Sequence, residues 1–518
     1  MRRLLTLAAI LALAGPAAAM PPPLPDVADR SMTQLQANVA AGEAGYETLT
    51  SAYIVRAKQL DPGLRAIIAV NPDALTQARA ADTARKAGGV LGPLTGMAIV
   101  IKDNIETLDP MATTAGSLAL ADNVTGRDAP AIARLRAAGV VILGKANLSE
   151  WANIRSSDSL SGWSAVGGQA RNPYDPARSP CGSSAGSAVA VAAGLAAAAV
   201  GTETDGSVTC PAAVNGLVGL KPTVGLVSRT FIVPISASQD TAGPMTRTVR
   251  DTADMLTVMA GSDPADPATA EADARKLDYA AALRPDALKG VRIGVMRYAA
   301  GFQPGTDVAF ETALKVLKAQ GAELVEIADF PNGDAFGEKE LAVLLTELKA
   351  GLNAYLAATD PARVKTRTLA EVIAFNTAHA DQEMPLFGQE LFEQAEKTKG
   401  LADPAYLKGR DAAKRLAGPE GIDALLAEYK VTALVGPTLG PAWLIDPVLK
   451  DRYIGGGAGN AAAVAGYPHL TVPMGLVQGL PVGLSFVGPK WSEARLLGYG
   501  YAYEQAAKAR RAPVMAAD

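Results

Sequence analysis

The chain has 518 residues, 49% hydrophobic and 19% charged, with 51 glycines, 34 prolines and two cysteines. That balance excludes a disordered chain, which is more charged and less apolar, and a collagen, which shows a strict glycine period. A net charge of -4 argues against a nucleic-acid partner, and two cysteines make neither a disulfide scaffold nor, alone, a structural zinc site. Arg2 and Arg3 precede the apolar run 4–15 and then Pro16-Ala17-Ala18-Ala19. A positive head, a short apolar stretch and an A-x-A site predict a secretory signal over 1–19, cut after Ala19. The run is too short to span a bilayer, which takes about 20 apolar residues. The expectation is an exported protein, periplasmic or extracellular, with no stable membrane insertion once the signal is removed.

Residues 20–30 are Pro-rich and read as a loose lead-in. Helical periodicity follows over 33–59, then an apolar strand over 64–70 and a helix over 73–86 that stops at Gly88-Gly89. The run 97–101 reads as a buried strand ending at Lys102, and a helix over 129–138 leads through Gly139 into a strand over 140–143. From Ser156 to Ser187 the chain is dense in Ser, Gly, Pro and Asn, and structureless stretches of that length are uncommon unless functional. Ser187 is positioned to cap an Ala-rich helix to about Ala199. After a polar connection at 261–288, strands are predicted at 291–296 and 323–327, flanking a helix, and 335–428 is mostly helical and charged. Strands return at 431–435, 469–472 and 482–487, and a last helix spans 493–507. Alternating strands and helices, with no internal repeat and no clean linker, predict an α/β layered fold: one domain over 20–518 with a helical insertion at about 335–428.

Three signals compete for the chemistry. Gly139 to Lys145 has the spacing of a phosphate loop, G-x-x-x-x-G-K, but Ala146 stands where Ser or Thr would hold magnesium, and strand formers fill the gap. That reads as a buried strand. Gly182-Ser183-Ser184-Ala185-Gly186 matches G-x-S-x-G, with Ser184 as nucleophile. Such chemistry needs a histidine, and the chain has only His379, in a helical stretch, and His469, at the head of an apolar strand. The third signal combines Lys102, the Cys181–Ser187 block and Gly201–Ser207. One helix and a return loop separate Ser183 from Ser207, so both can face one pocket. A lysine is a base only when neutral; lowering its pKa from about 10.4 to about 7.5 takes roughly 4 kcal/mol against the cation. Burial at a strand end supplies that kind of environment. A serine between lysine and nucleophile relays the proton, and the turn at Thr204–Ser207 aims backbone N–H groups at a developing oxyanion.

These residues resemble the amidase signature family: Lys102-Asp103-Asn104, the Gly-Ser-Ser-x-Gly-Ser block, the second serine at 207, Gly219–Thr223, Asp240–Met245 and Ala465–Pro468. The resemblance covers most of 30–510. It implies an α/β/α sandwich around a large mixed sheet, and amide hydrolysis by a Ser–cis-Ser–Lys triad with no metal or cofactor. By position, Lys102 is the base, Ser183 the bridging serine behind a cis peptide bond, and Ser207 the nucleophile. The backbone of Thr204, Asp205, Gly206 and Ser207 would form the oxyanion hole. Asp205 and Ala185 stand where many members have glycine, and the Pro180–Ser184 and Gly201–Ala213 segments look most like bacterial peptide amidases. Those release ammonia from C-terminal peptide carboxamides, so the implied partner is a small peptide or other amide. An amidotransferase A-subunit-like protein, an aryl or aliphatic acylamidase and a catalytically dead binding protein are the rivals; oligomeric state is not legible.

Other residues carry plainer expectations. If Ser183 and Ser207 meet, Cys181 and Cys210 are neighbours, and export permits a disulfide; two buried free thiols are the favoured expectation. Asp103 and Asn104 either orient the lysine or make turn hydrogen bonds. Trp151 and Trp163 are candidate pocket walls, with core packing as the commoner role. The 335–428 stretch reads as a solvated face or a substrate rim.

Overall fold

A computed structural model describes residues 24–89 and 91–515; the predicted signal peptide lies outside the described residues. The apolar runs form strands β1 (Ile67–Val70), β2 (Ala98–Lys102), β3 (Val141–Ala146), β4 (Trp163–Ser164), β5 (Gly168–Gln169), β6 (Ala198–Glu203), β7 (Val218–Lys221), β8 (Thr241–Thr246), β9 (Arg292–Met296), β10 (Glu323–Ile327), β11 (Ala433–Pro437), β12 (His469–Val477) and β13 (Leu480–Val487). All but the β4–β5 pair join one 11-stranded sheet, in the order β1-β3-β2-β6-β8-β7-β12-β13-β11-β9-β10. It is mixed: β3-β2-β6 and β11-β9-β10 run parallel, and antiparallel ladders link them. Helices cover the faces, which explains why β2, β3, β6 and β13 read as continuous apolar or small-residue runs rather than alternating ones. The architecture is the α/β fold with a large mixed sheet expected from the sequence.

Parallel pairing places the site. Ile101 stands opposite Val200 in the β2–β6 register, so Lys102 and the Thr202-Glu203 pair emerge at the same edge. These are the carboxyl ends of parallel strands, where open α/β sheets bind ligands.

Several expectations are corrected. The stretch 33–59 is two helices, Met32–Ala40 and Tyr46–Leu64, not one. The Ala-rich helix starts two residues before Ser187 and ends early, covering Ala185–Ala192. Ala198 and Ala199 belong to β6, in the middle of the sheet, because slots between neighbouring strands overrule alanine's helical preference. Gly194 makes the turn at φ 71°, where a Cβ would lie 2.4 Å from the carbonyl oxygen of Ala28. The same contact shows that residues 24–30 are no loose lead-in: Val27 is buried, and Arg247 Nη1 donates to Arg30 O at 3.1 Å. Strands β7 and β8 and the helix Val249–Met259 carried no clear sequence signal.

Residues 337–428 form a set of helices. Their apolar face (Leu345, Leu348, Leu352) packs on Trp151, Val233 and Ile235, so the stretch is more than a solvated face. A buried charge cluster also holds it: Arg155 Nη1 lies 2.5 Å from Glu150 Oε1 and 3.6 Å from Glu383 Oε2, and donates to Glu383 O at 2.5 Å.

Candidate active site

Lys102 ends β2 with its side chain fully buried. Its Nζ donates to Ser183 Oγ at 2.8 Å, to Thr202 Oγ1 at 2.8 Å and to Thr202 O at 3.1 Å. Burial pushes its pKa from 10.5 to about 7, against the opposing charges of Asp240 and Glu203. Near neutral pH a large fraction of this amine is therefore uncharged. A hydroxyl both donates and accepts, so the Ser183 contact can carry a proton from Oγ to Nζ.

The peptide bond Gly182–Ser183 is cis, at the bond the resemblance indicated. Two links draw this loop to the second serine. Ser184 N donates to Ser207 O at 3.1 Å, and Cys181 and Cys210 form a disulfide with Cα atoms 6.1 Å apart. The expectation of two free thiols is thus corrected: once the two serine segments pack side by side, the cysteines fall within disulfide reach. The turn between β6 and the helix Thr209–Val214 carries Ser207. Glu203 Oε2 accepts from Val208 N at 2.8 Å, Thr209 N at 2.9 Å and Thr209 Oγ1 at 3.1 Å. The N–H groups of Asp205, Gly206 and Ser207 have no acceptor among the described residues and remain available to an oxyanion. Thr204 is anchored from β8's approach: its Oγ1 donates to Asp240 Oδ1 at 2.6 Å, and Gln239 Nε2 donates to its carbonyl at 3.3 Å. Asp240 Oδ2 in turn accepts from Ile235 N and Ser236 N, both at 2.8 Å.

Over this turn opens a cleft of about 430 Å³ lined by Gly182, Asp205, Gly206 and the disulfide on one side and by Trp443, Tyr453 and His469 on others. Asp205 faces it with its carboxyl pushed above the usual carboxylate range by burial and by the like charges of Glu340 and Glu203.

The competing signals have structural roles. Ser184 Oγ donates to Thr202 O at 3.1 Å and accepts from Thr202 N at 3.3 Å. Neither histidine touches it: His379 Nδ1 lies 2.9 Å from Phe375 O, and His469 Nε2 lies 2.6 Å from Ser485 Oγ. Lys145 is buried against Ile105 O and Thr113 Oγ1, each at 2.7 Å, and pairs with Asp103 at 3.3 Å. Asp103 thus holds the neighbouring lysine and Thr114, whereas Asn104 Nδ2 donates to Thr202 Oγ1 at 3.0 Å and does orient a partner of Lys102. Trp151 packs on Phe392 and Trp163 on Phe387, under the helical stretch; neither lines the cleft. Sequence reasoning missed Thr202, Glu203 and Asp240. Glu203 lies five residues ahead of the Val208 N-cap and is not a capping residue type, so no local signal marks its role; Asp240 opens the family-like run Asp240–Met245, but only folding brings it to Thr204.

A buried lysine bonded to a serine at the carboxyl ends of parallel strands in a mixed sheet is the setting of an amide hydrolase, and the comparisons define that class. The amidase family profile matches residues 48–497. The chain is 40% identical over 479 residues to a probable amidase of Arabidopsis thaliana, covering 90% of this chain and 87% of that one. It is 54% identical, with a TM-score of 0.89, to the native peptide amidase of Stenotrophomonas maltophilia, covering 95% of this chain and 100% of that one. Peptide amidase PAM in complex with the competitive inhibitor chymostatin aligns equally well, at 54% identity and TM-score 0.89 over 94% and 99% of the chains. This chain belongs to the amidase signature family and is an amide hydrolase.

Proposed function

We propose that this enzyme is an exported amidase that removes ammonia from the C-terminal carboxamide of peptides through an acyl-enzyme on Ser207. Neutral Lys102 takes a proton from Ser183 Oγ, which takes one from Ser207 Oγ as that oxygen attacks the carbonyl carbon. The tetrahedral oxyanion is met by the backbone N–H groups at 204–207. The relay then returns the proton to the departing nitrogen, the C–N bond breaks, and ammonia leaves. Water attacks the ester by the same route and frees the peptide carboxylate and Ser207.

The observation that carries this reading is the 2.8 Å contact between a fully buried Lys102 and Ser183. The likeness to a peptide amidase at 54% identity favours a peptide amide over an aryl or aliphatic amide. The Cys181–Cys210 disulfide supports an oxidising compartment, in line with a leader over 1–19. Ammonia release from a panel of C-terminally amidated peptides, simple aliphatic amides and anilides tests it, with wild type, Lys102→Ala and Ser207→Ala. The expected result is release from the peptide amides by wild type alone. Activity retained by Ser207→Ala overturns the triad, and preference for anilides overturns the substrate class. Export is checked by fractionating the native host and sequencing the mature N-terminus, expected at Met20.

A further inference from the structure

Beside the cleft lies a second cavity of about 480 Å³ that the reaction above does not use. The two share Gly456, Gly457 and Asn460, so they meet across one short stretch of chain. That stretch is bare backbone: Gly455, Gly456 and Gly457 have φ of 63°, 114° and 95°, values that side-chain-bearing residues rarely adopt. A Cβ at Gly455 would strike the Phe302 ring at 2.0 Å and one at Gly456 would crowd Thr438 O and Leu439 at 3.2 Å, whereas Gly457 has open space beside it. Apolar and polar groups share the cavity walls about equally. Tyr298, Phe330 and Phe336 form a run of edge-on rings with centroids 5.7 Å and 5.5 Å apart, and Met296, Leu434 and Val487 line it while almost wholly buried. Asp329, Asp334 and Asn460 are its polar lining. A space of this size, with aromatic rings on one wall and carboxylates and an amide on another, has the mixed lining of a binding pocket.

The chemistry says where a substrate needs room. When the leaving group is ammonia, nothing bulky sits on the leaving side, and all remaining substrate surface lies on the acyl side. We infer that the second cavity is a specificity subsite for a large apolar side chain, aromatic or branched aliphatic, on the residue preceding the one that bears the carboxamide. This rests on the peptide-amide reading above. The amide-bearing residue occupies the cleft over Gly206 and Ser207, and the chain crosses the glycine stretch to deliver the next side chain among the three rings. Asp329 and Asp334 disfavour an acidic side chain there.

The test compares kcat/KM for Gly-Ala, Leu-Ala, Phe-Ala and Asp-Ala amides. Wild type is expected to favour Phe-Ala over Gly-Ala by on the order of tenfold to a hundredfold, the discrimination an apolar pocket delivers, with Asp-Ala the poorest. Ala461 lines the cavity and is buried; Ala461→Phe fills the space and is expected to collapse the Phe-over-Gly ratio to within about threefold, chiefly through KM. Phe336→Ala removes part of the wall, lowers the ratio less, and serves if the first variant does not fold. Equal treatment of Phe-Ala and Gly-Ala by wild type overturns the inference, as does an undiminished ratio in either folded variant. Turnover of simple aliphatic amides with none of the dipeptide amides shows instead that the peptide reading itself has failed.

Discussion

Protonating Lys102 is the perturbation that bears hardest on the proposed chemistry. Burial takes this lysine from 10.5 to about 7, which at about 1.36 kcal/mol per pH unit is roughly 5 kcal/mol against the ammonium. The base has to be neutral to accept the Ser183 proton. Activity therefore rises with pH through about 7 and levels above it, and each unit below lowers the rate about tenfold. The charges opposing burial are Asp240 and Glu203. Asp240→Asn removes one of them, makes the ammonium less stable, and moves the acidic limb to lower pH. The same variant weakens the Thr204 anchor and lowers the plateau, but amplitude and limb position separate in a full profile. The assay is kcat/KM for ammonia release from one peptide amide between about pH 5 and 10, for wild type and Asp240→Asn. A limb near the free-lysine value, a flat profile down to pH 5, or an upward shift in Asp240→Asn refutes the neutral-lysine argument.

Three further outcomes follow from the geometry. Ser184→Ala loses only hydrogen bonds to Thr202, so ammonia-release assays are expected to find its activity within about tenfold of wild type and its stability lowered by about 1 kcal/mol, whereas Ser207→Ala loses at least about a thousandfold. Replacing Cys181 and Cys210 by serine opens a link spanning 29 residues; chain entropy sets the loss near 3.5 kcal/mol, read as an earlier urea midpoint, and an unchanged midpoint contradicts it. Arg155→Ala leaves Glu150 and Glu383 buried without their cation, with an expected cost of about 3–5 kcal/mol in urea unfolding; a variant as stable as wild type shows that the cluster does not hold the helical stretch in place.

Much of this protein is written locally. The apolar runs 97–101, 323–327 and 482–487 became strands within a residue or two, and the last helix matched its predicted span of 493–507, because strand and helix periodicities are properties of neighbouring residues. Lys102, Ser183 and Ser207 stood among three competing local signals, and the family resemblance, not the spacing, assigned their roles. What local pattern could not decide depends on partners distant in the chain. Ala198 and Ala199 became strand only because β2 and β8 flank them. The two cysteines became a disulfide only because the serine loops converge. Asp240 meets Thr204 across 36 residues, and Arg155 meets Glu383 across 228. The neutrality of Lys102 is decided last of all, because a pKa of about 7 is a response to complete desolvation, and desolvation exists only when the whole sheet and its covering helices have closed around the amine.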